Sequence, residues 1–144
     1  MLALTKLPLN DTKESIEAQA KMQTLLQNQM ERELQTGSIS SVINLVDFLL
    51  EEAHAAKASD IHFDPQPDKI RVRFRVDGVL IDKYGLPKGI QSEIISRVKI
   101  LAGLRTDEHQ AAQDGRFRLS RGLAQADVRV SIAPTLHAQP TVLR

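Results

Sequence analysis

The 144-residue chain has no cysteine and no tryptophan, and aromatic residues make up only 3% of it. Without cysteine it can form neither disulfides nor thiolate metal sites, which fits a reducing, intracellular compartment. With so few aromatics and an apolar content of 42%, any core must be aliphatic, built mainly from Ile, Val, Leu and Ala. No apolar run approaches the roughly 20 residues that span a bilayer. Met1-Leu2-Ala3-Leu4-Thr5-Lys6-Leu7-Pro8 lacks the basic n-region and sustained apolar stretch of a signal peptide. A soluble, cytoplasmic, non-transmembrane protein is expected. Also missing are a G-x-S-x-G nucleophile elbow and a phosphate-cradling G-x-x-x-x-G-K-S/T loop, so this segment is not expected to catalyse anything by itself. Its length suits one compact domain with a helical appendage.

The formal net charge of +1 hides a division. Residues 1–68 carry 5 Lys+Arg against 11 Asp+Glu, and residues 69–144 carry 14 against 7. Such polarity suits a basic surface for an anionic partner, or a basic half that meets acidic neighbours.

Residues 1–10 read as a lead-in. Asp11 and Glu14 form a variant capping box before a helix ending at Gly37, with Ile16, Ala20, Leu26, Met30 and Leu34 as a loose apolar stripe. Residues 1–37 are thus a lead-in and linker helix. Residues 38–144 are a separate α+β domain, in which helices pack on an antiparallel sheet. A core helix follows residues 38–41 and carries Val42, Leu45, Val46, Leu49, Leu50 and Ala53 on one face. Strands are expected over residues 59–64, 69–76 and 79–84, the last two joined by Asp77-Gly78, a favoured hairpin turn. Pro87 suits the first turn of a helix carrying Ile90, Ile94, Ile95, Val98 and Leu101. A polar loop over 105–115 precedes strands over 116–120 and 126–132, and Thr141-Val142-Leu143 begins one more.

The most informative stretch is Lys69-Ile70-Arg71-Val72-Arg73-Phe74-Arg75-Val76-Asp77-Gly78. Side chains alternate across a strand, so Ile70, Val72, Phe74 and Val76 enter a core while Arg71, Arg73 and Arg75 stand in a row on the other face. Three adjacent guanidiniums repel one another unless anions, acidic side chains or water compensate them. Three readings follow. One is a solvated face balanced by Asp or Glu. Another is nucleic-acid binding, which wants stacking aromatics between the basic residues; Phe74 points the wrong way and Tyr84 is the one tyrosine. The third is delivery of arginines to phosphates held by another domain or subunit, a task suited to the permanently charged, fork-shaped guanidinium. Charge alone leaves the first and third open. Asp60, His62 and Asp64 share a strand face at a spacing acceptable for a metal, but no second histidine or carboxylate pair accompanies them, and a polar face with local hydrogen bonds is the plainer reading. His54, His109 and His137 are scattered.

Five linked motifs resemble those of the secretion and pilus traffic ATPases, the type II secretion and type IV pilus extension motors. They are Ala58-Ser59-Asp60-Ile61-His62-Phe63-Asp64-Pro65, Val72-Arg73-Phe74-Arg75-Val76-Asp77-Gly78-Val79-Leu80, Ser96-Arg97-Val98-Lys99-Ile100-Leu101-Ala102, Gln113-Asp114-Gly115-Arg116-Phe117, and Asp127-Val128-Arg129-Val130-Ser131 with Pro134-Thr135. The resemblance covers about residues 40–144. It implies the PAS-like N-terminal domain that stands before the P-loop domain of a hexameric, magnesium-dependent ATPase, cut here before its catalytic half. It implies ATP and Mg as cofactors of the parent, none for this segment, and a cytoplasmic location peripheral to the inner membrane. Expected partners are the P-loop domain of the same or a neighbouring subunit, further copies in a homohexamer, and inner-membrane platform proteins, with no nucleic acid. By the same resemblance Arg73 contacts ATP phosphate and Lys88 stands where relatives carry a second such arginine. Arg75, Arg97 and Arg116 are further candidates, with hydrogen-bonding or interface roles also expected for Arg97, Arg116 and Arg129. Two stretches depart from the family pattern: Glu108-His109-Gln110-Ala111-Ala112, and Leu136-His137-Ala138-Gln139-Pro140. The alternative from another class is a stand-alone module whose basic sheet binds an acidic protein surface.

Overall fold

The computed structural model describes residues 13–121, 124–134 and 139–144. The lead-in 1–10, Asp11, Thr135, Leu136, His137 and Ala138, named above, lie outside them. The order is α1 (Lys13–Thr36), α2 (Val42–Ala55), β1 (Asp60–Pro65), β2 (Lys69–Val76), β3 (Val79–Pro87), a 3-10 turn (Lys88–Ile90), α3 (Gln91–Leu101), β4 (Gln113–Arg121), β5 (Ala124–Ile132) and β6 (Thr141–Leu143). All six strands join one sheet in the order β3-β2-β1-β6-β5-β4, and every pairing is antiparallel. The α+β expectation is met.

Each element follows from local chemistry. Ser41 caps α2, its hydroxyl accepting from the Asn44 N–H at 3.2 Å. The apolar stripe of α2 is buried at Leu45, Val46, Leu49, Leu50 and Ala53, with Phe48 added. Asp77 and Gly78 both take positive φ, 51° and 80°, as the two-residue hairpin turn requires. Pro87 ends β3 rather than opening α3; the 3-10 turn intervenes, and β3 runs three residues past its expected end. The long loop is also shorter than expected, because β4 starts at Gln113. Gly115 lies in that strand under Ala102 and Leu104. A Cβ there would come within 3.0–3.2 Å of three of their atoms, so any larger residue would push the loop off the strand by a few tenths of an ångström.

The helices cover one face of the sheet. Ile61, Phe63, Ile70, Val72, Phe74, Val128, Val130, Ile132 and Leu143 meet Leu45, Leu49, Ile94 and Val98 in a single core. Lys99 is 1% exposed, and its ammonium donates to the Glu108 carbonyl at 2.5 Å, where the Gln113 amide also donates. A buried cation thereby fastens the loop that departs from the family pattern. Helix α1 is different: Met30 is its only buried residue, while Ile16, Met22, Leu25 and Leu26 are exposed. The loose stripe read in the sequence is used only near its C-terminal end.

Strand β6 joins the two halves of the sheet, since β1 and β5 each pair with it. Leu143, 2% exposed, lies between Ile61 and Val130. Leu143→Ala is therefore expected to cost about 2–5 kcal/mol, read from urea unfolding. A loss below about 1 kcal/mol would mean that the site collapses around the cavity or that the halves cohere without this side chain.

Candidate functional site

The face opposite the helices carries the arginine row. In the β1–β2 register Asp60 stands opposite Arg75, His62 opposite Arg73 and Asp64 opposite Arg71. The acidic strand thus lies beside the basic one on the same face. Arg73 leans diagonally to Asp64, with its Nε 2.8 Å and its Nη2 2.6 Å from one oxygen, Oδ2. Arg71 reaches toward that same oxygen with Nη2 at 3.9 Å. Arg75 donates through Nε to Asp60 Oδ2 at 3.1 Å and through Nη1 to the Gly78 carbonyl at 3.1 Å. Arg144, next to β6, donates to the other Asp60 oxygen at 3.0 Å. Both carboxylates of the Asp60–His62–Asp64 strand are thus committed to arginines, and among the described residues no three His, Asp or Glu side chains come together to hold a metal ion.

Four guanidiniums share two carboxylates here, leaving an excess of positive charge. The Arg71 Nε is buried and has no acceptor. A buried donor without a partner is costly, so one further anion would be favoured on this face. The site therefore fits a phosphate by charge and by donor supply. Its geometry is set partly by a feature that alternation hides. The β2–β3 register slips between Val72 and Arg73, with Val72 opposite Tyr84 and Arg73 opposite Asp82. Lys83 is the extra residue. This bulge turns the Lys83 ammonium to 5.5 Å from the Phe74 ring centroid and 4.0 Å from Glu52 on the helical side, and it sharpens the local twist at Arg73. Burial holds the His62 imidazole below its ordinary pKa, while Asp64 and Asp60 oppose that shift and Arg73 and Arg75 reinforce it.

The expected site residues do not all converge. Arg73 and Arg75 share the outer face with Arg71. Lys88 lies at the end of the same hairpin, its Nζ donating to the Gln66 carbonyl at 2.6 Å. Arg97 belongs to the helical layer, where its Nη2 is 3.6 Å from Asp47 and links α3 to α2. Arg116 is exposed on β4, four strand spacings from β2, which is about 19 Å. Sequence reasoning missed two partners: Asp64 as the holder of Arg73, and Arg144 as a fourth guanidinium. The two-residue alternation of both strands signals the first. Nothing local signals the second, because it depends on where β6 inserts.

Together these features define a two-layer α+β domain with a basic sheet face short of anions. The family model described as type II/IV secretion system protein matches residues 35–144, and the chain belongs to that family. It is 40% identical over 107 residues to type II secretion system protein E of Xanthomonas campestris pv. campestris, covering 74% of this chain and 19% of that protein. It is 40% identical over 104 residues to the type IV pilus assembly ATPase PilB of Myxococcus xanthus, covering 72% and 18%. Type II secretion system ATPase E of Vibrio cholerae is 38% identical over 111 residues, covering 77% and 22%. The chain thus spans about a fifth of the length of these relatives. Among the described residues no helix is long and apolar enough to cross a membrane.

Behind the site, Tyr84 donates to Glu52, whose two oxygens lie 2.9 and 2.7 Å away. Burial first, then this hydrogen bond and the Glu52 charge, push the phenol well above its ordinary pKa of 10.0. Because the folded pKa is raised, the stabilisation is complete below the unfolded value and is lost as pH rises above about 10. Tyr84 is the only tyrosine and there is no tryptophan, so absorbance near 295 nm reports it alone. Tyrosinate is expected to appear only with alkaline unfolding, and Tyr84→Phe to cost about 1–2 kcal/mol. An ordinary titration near 10 in the folded protein would contradict this.

Proposed function

We propose that this chain is the domain that stands before the P-loop domain in a traffic ATPase of type II secretion or type IV pilus assembly. In this reading its outer sheet face presents Arg73 to the phosphates of ATP held by that domain. The observation that carries the reading is the shared Asp64 oxygen. Arg73 is half-buried and oriented, yet its only carboxylate partner is contested by Arg71. Exchanging that carboxylate for a phosphate keeps the charge balanced and offers Arg71 and Arg73 more acceptor atoms. Arg73 can present two donors in a plane. Lys88 lies beyond the Lys69–Pro87 pair at the open end of the hairpin and adds positive charge without a fork. Arg75 holds the face together through Asp60 and Gly78. Arg97 and Arg116, outside this cluster, are left with interhelical and surface roles.

When bound, ATP with magnesium supplies the phosphoanhydride bond whose cleavage powers the motor. The part played by this chain is electrostatic: a preformed guanidinium stabilises charge on the β/γ-phosphates and costs little reorganisation. Domain closure and opening would then follow whether Arg73 sits on phosphate or on Asp64, and the domain would swing as a rigid body. The partners in this reading are a P-loop domain of the same or a neighbouring subunit, further copies in a homohexamer, and platform proteins at the inner membrane. The protein would act from the cytoplasmic side.

Alone, the chain is expected not to hydrolyse ATP. In a protein that joins it to a P-loop domain of the family, Arg73→Ala is expected to lower kcat about 10²–10³-fold with the circular dichroism spectrum unchanged, and Arg73→Lys to recover part of the loss. Retained activity in Arg73→Ala would overturn the role and leave the interaction-module reading.

A further inference from the structure

Helix α1 lies almost wholly outside the part of the chain that the family model matches, since the match starts at residue 35. It is anchored at its C-terminal end. Met30 is buried and Leu34 half-buried against the core, and the Glu33 carboxylate accepts from the Ser40 hydroxyl and N–H at 2.6 and 3.1 Å. Before Met30, every residue from Ile16 to Gln29 is exposed. A helical stretch of that length is marginal in water unless an apolar face is packed, yet Met22 and Leu25 are 57% and 66% exposed. No described residue buries them. Ser15, Ala18, Met22, Leu25 and Gln29 follow one another at alternating spacings of three and four, so they form one seam along the helix, with Leu26 beside it. That seam holds no charge.

We infer that this seam pairs with the same seam of a second copy of the chain, the two helices running antiparallel. The charges that flank the seam select both the occupant and the direction. Glu14 and Arg32 stand about five helical turns apart on one line of α1. Both are exposed, and neither has an ion pair among the described residues. When Met22 of one copy meets Leu25 of the other, Arg32 of each comes level with Ser15 and next to Glu14 of the other. A two-fold pair therefore makes the Glu14–Arg32 contact twice. Run in parallel, the same helices would set glutamate against glutamate and arginine against arginine. The helix ends favour the same direction. Glu31 and Glu33 lie near the negative end of the α1 dipole, with no basic residue in the last turn. An antiparallel neighbour brings its positive N-terminal end, with Lys13, beside them. A membrane surface is the poorer occupant, because the four glutamates of α1 outnumber Lys13, Lys21 and Arg32 and leave no basic face for anionic lipid. The contact is isologous, joins copies in pairs, and does not rest on the proposed nucleotide role. The seam is apolar only at its centre, so the pair is weak and depends on protein concentration.

The test is sedimentation equilibrium of the full chain over a range of concentrations. The apparent mass is expected to rise from 16.0 kDa toward twice that value. Leu25→Glu is expected to raise the dissociation constant about tenfold or more while leaving the Tm of the dilute protein unchanged, because Leu25 is exposed there. Glu14→Arg and Arg32→Glu should each weaken pairing, and the double exchange should restore most of it, since opposite charges then meet again. A mass that stays at 16.0 kDa up to millimolar concentration would overturn the proposal. Pairing that survives both single reversals, or that fails to return in the double exchange, would overturn the antiparallel pair. A Tm lowered by Leu25→Glu at constant monomer mass would give the seam to another segment of the same chain instead.

Discussion

The three residues of β6 hold this molecule together. Hairpin β2–β3 with β1 forms one block and hairpin β4–β5 another, and the strand order brings them together through Thr141–Leu143. Its backbone bonds β1 on one side and β5 on the other, and Thr141 and Leu143 are both buried. Just past the strand, Arg144 bonds the Arg129 main chain and the Asp60 side chain, so one residue touches both blocks. Because β6 closes the sheet, its two surfaces are continuous. One is aliphatic and takes α2 and α3; the other is polar and runs from the Arg73 cluster to Arg116 and Arg129, which stand opposite each other.

That continuity explains the uneven charge of the chain. The acidic first half supplies α1, α2 and the acidic strand β1, while the basic second half supplies α3 and most of the remaining outer face. Asp60 and Asp64 cross this division and neutralise part of the arginine row. They leave Arg71 with an unsatisfied Nε and leave Arg116 and Arg129 facing each other. A sheet face optimised only for stability would pair these charges, as it does Arg118 with Asp127. Under the proposed function, the unbalanced Arg71–Arg73 cluster is the one that receives an anion from outside.

Much of this was legible in the sequence. The alternation over residues 69–76 gave both the strand and the face its arginines occupy, and Asp77-Gly78 gave the turn. What failed to show depends on tertiary placement. The β2–β3 bulge inserts Lys83 without a glycine to mark it. The stop of β3 at Pro87 and the early start of β4 at Gln113 follow from packing around Leu86 and Gly115. The apolar positions of α1 promise burial, yet only Met30 is buried and Leu34 half-buried against the core, because α1 touches the domain near that end alone. The set of arginines drawn from motif positions scattered once the strand order was known, since Arg73 and Arg75 lie on β2, Arg97 in the helical layer and Arg116 on the far edge strand β4.

The central claim is that Arg73 exchanges one anion, Asp64, for another, the terminal phosphate of ATP. The most direct measurement is a structure of this chain joined to a P-loop domain of its family, with a non-hydrolysable ATP analogue bound. Arg73 is expected to have left Asp64 and to lie within hydrogen-bond distance of the β- or γ-phosphate. Arg73 still on Asp64, with no guanidinium of this domain near the phosphates, would contradict the claim.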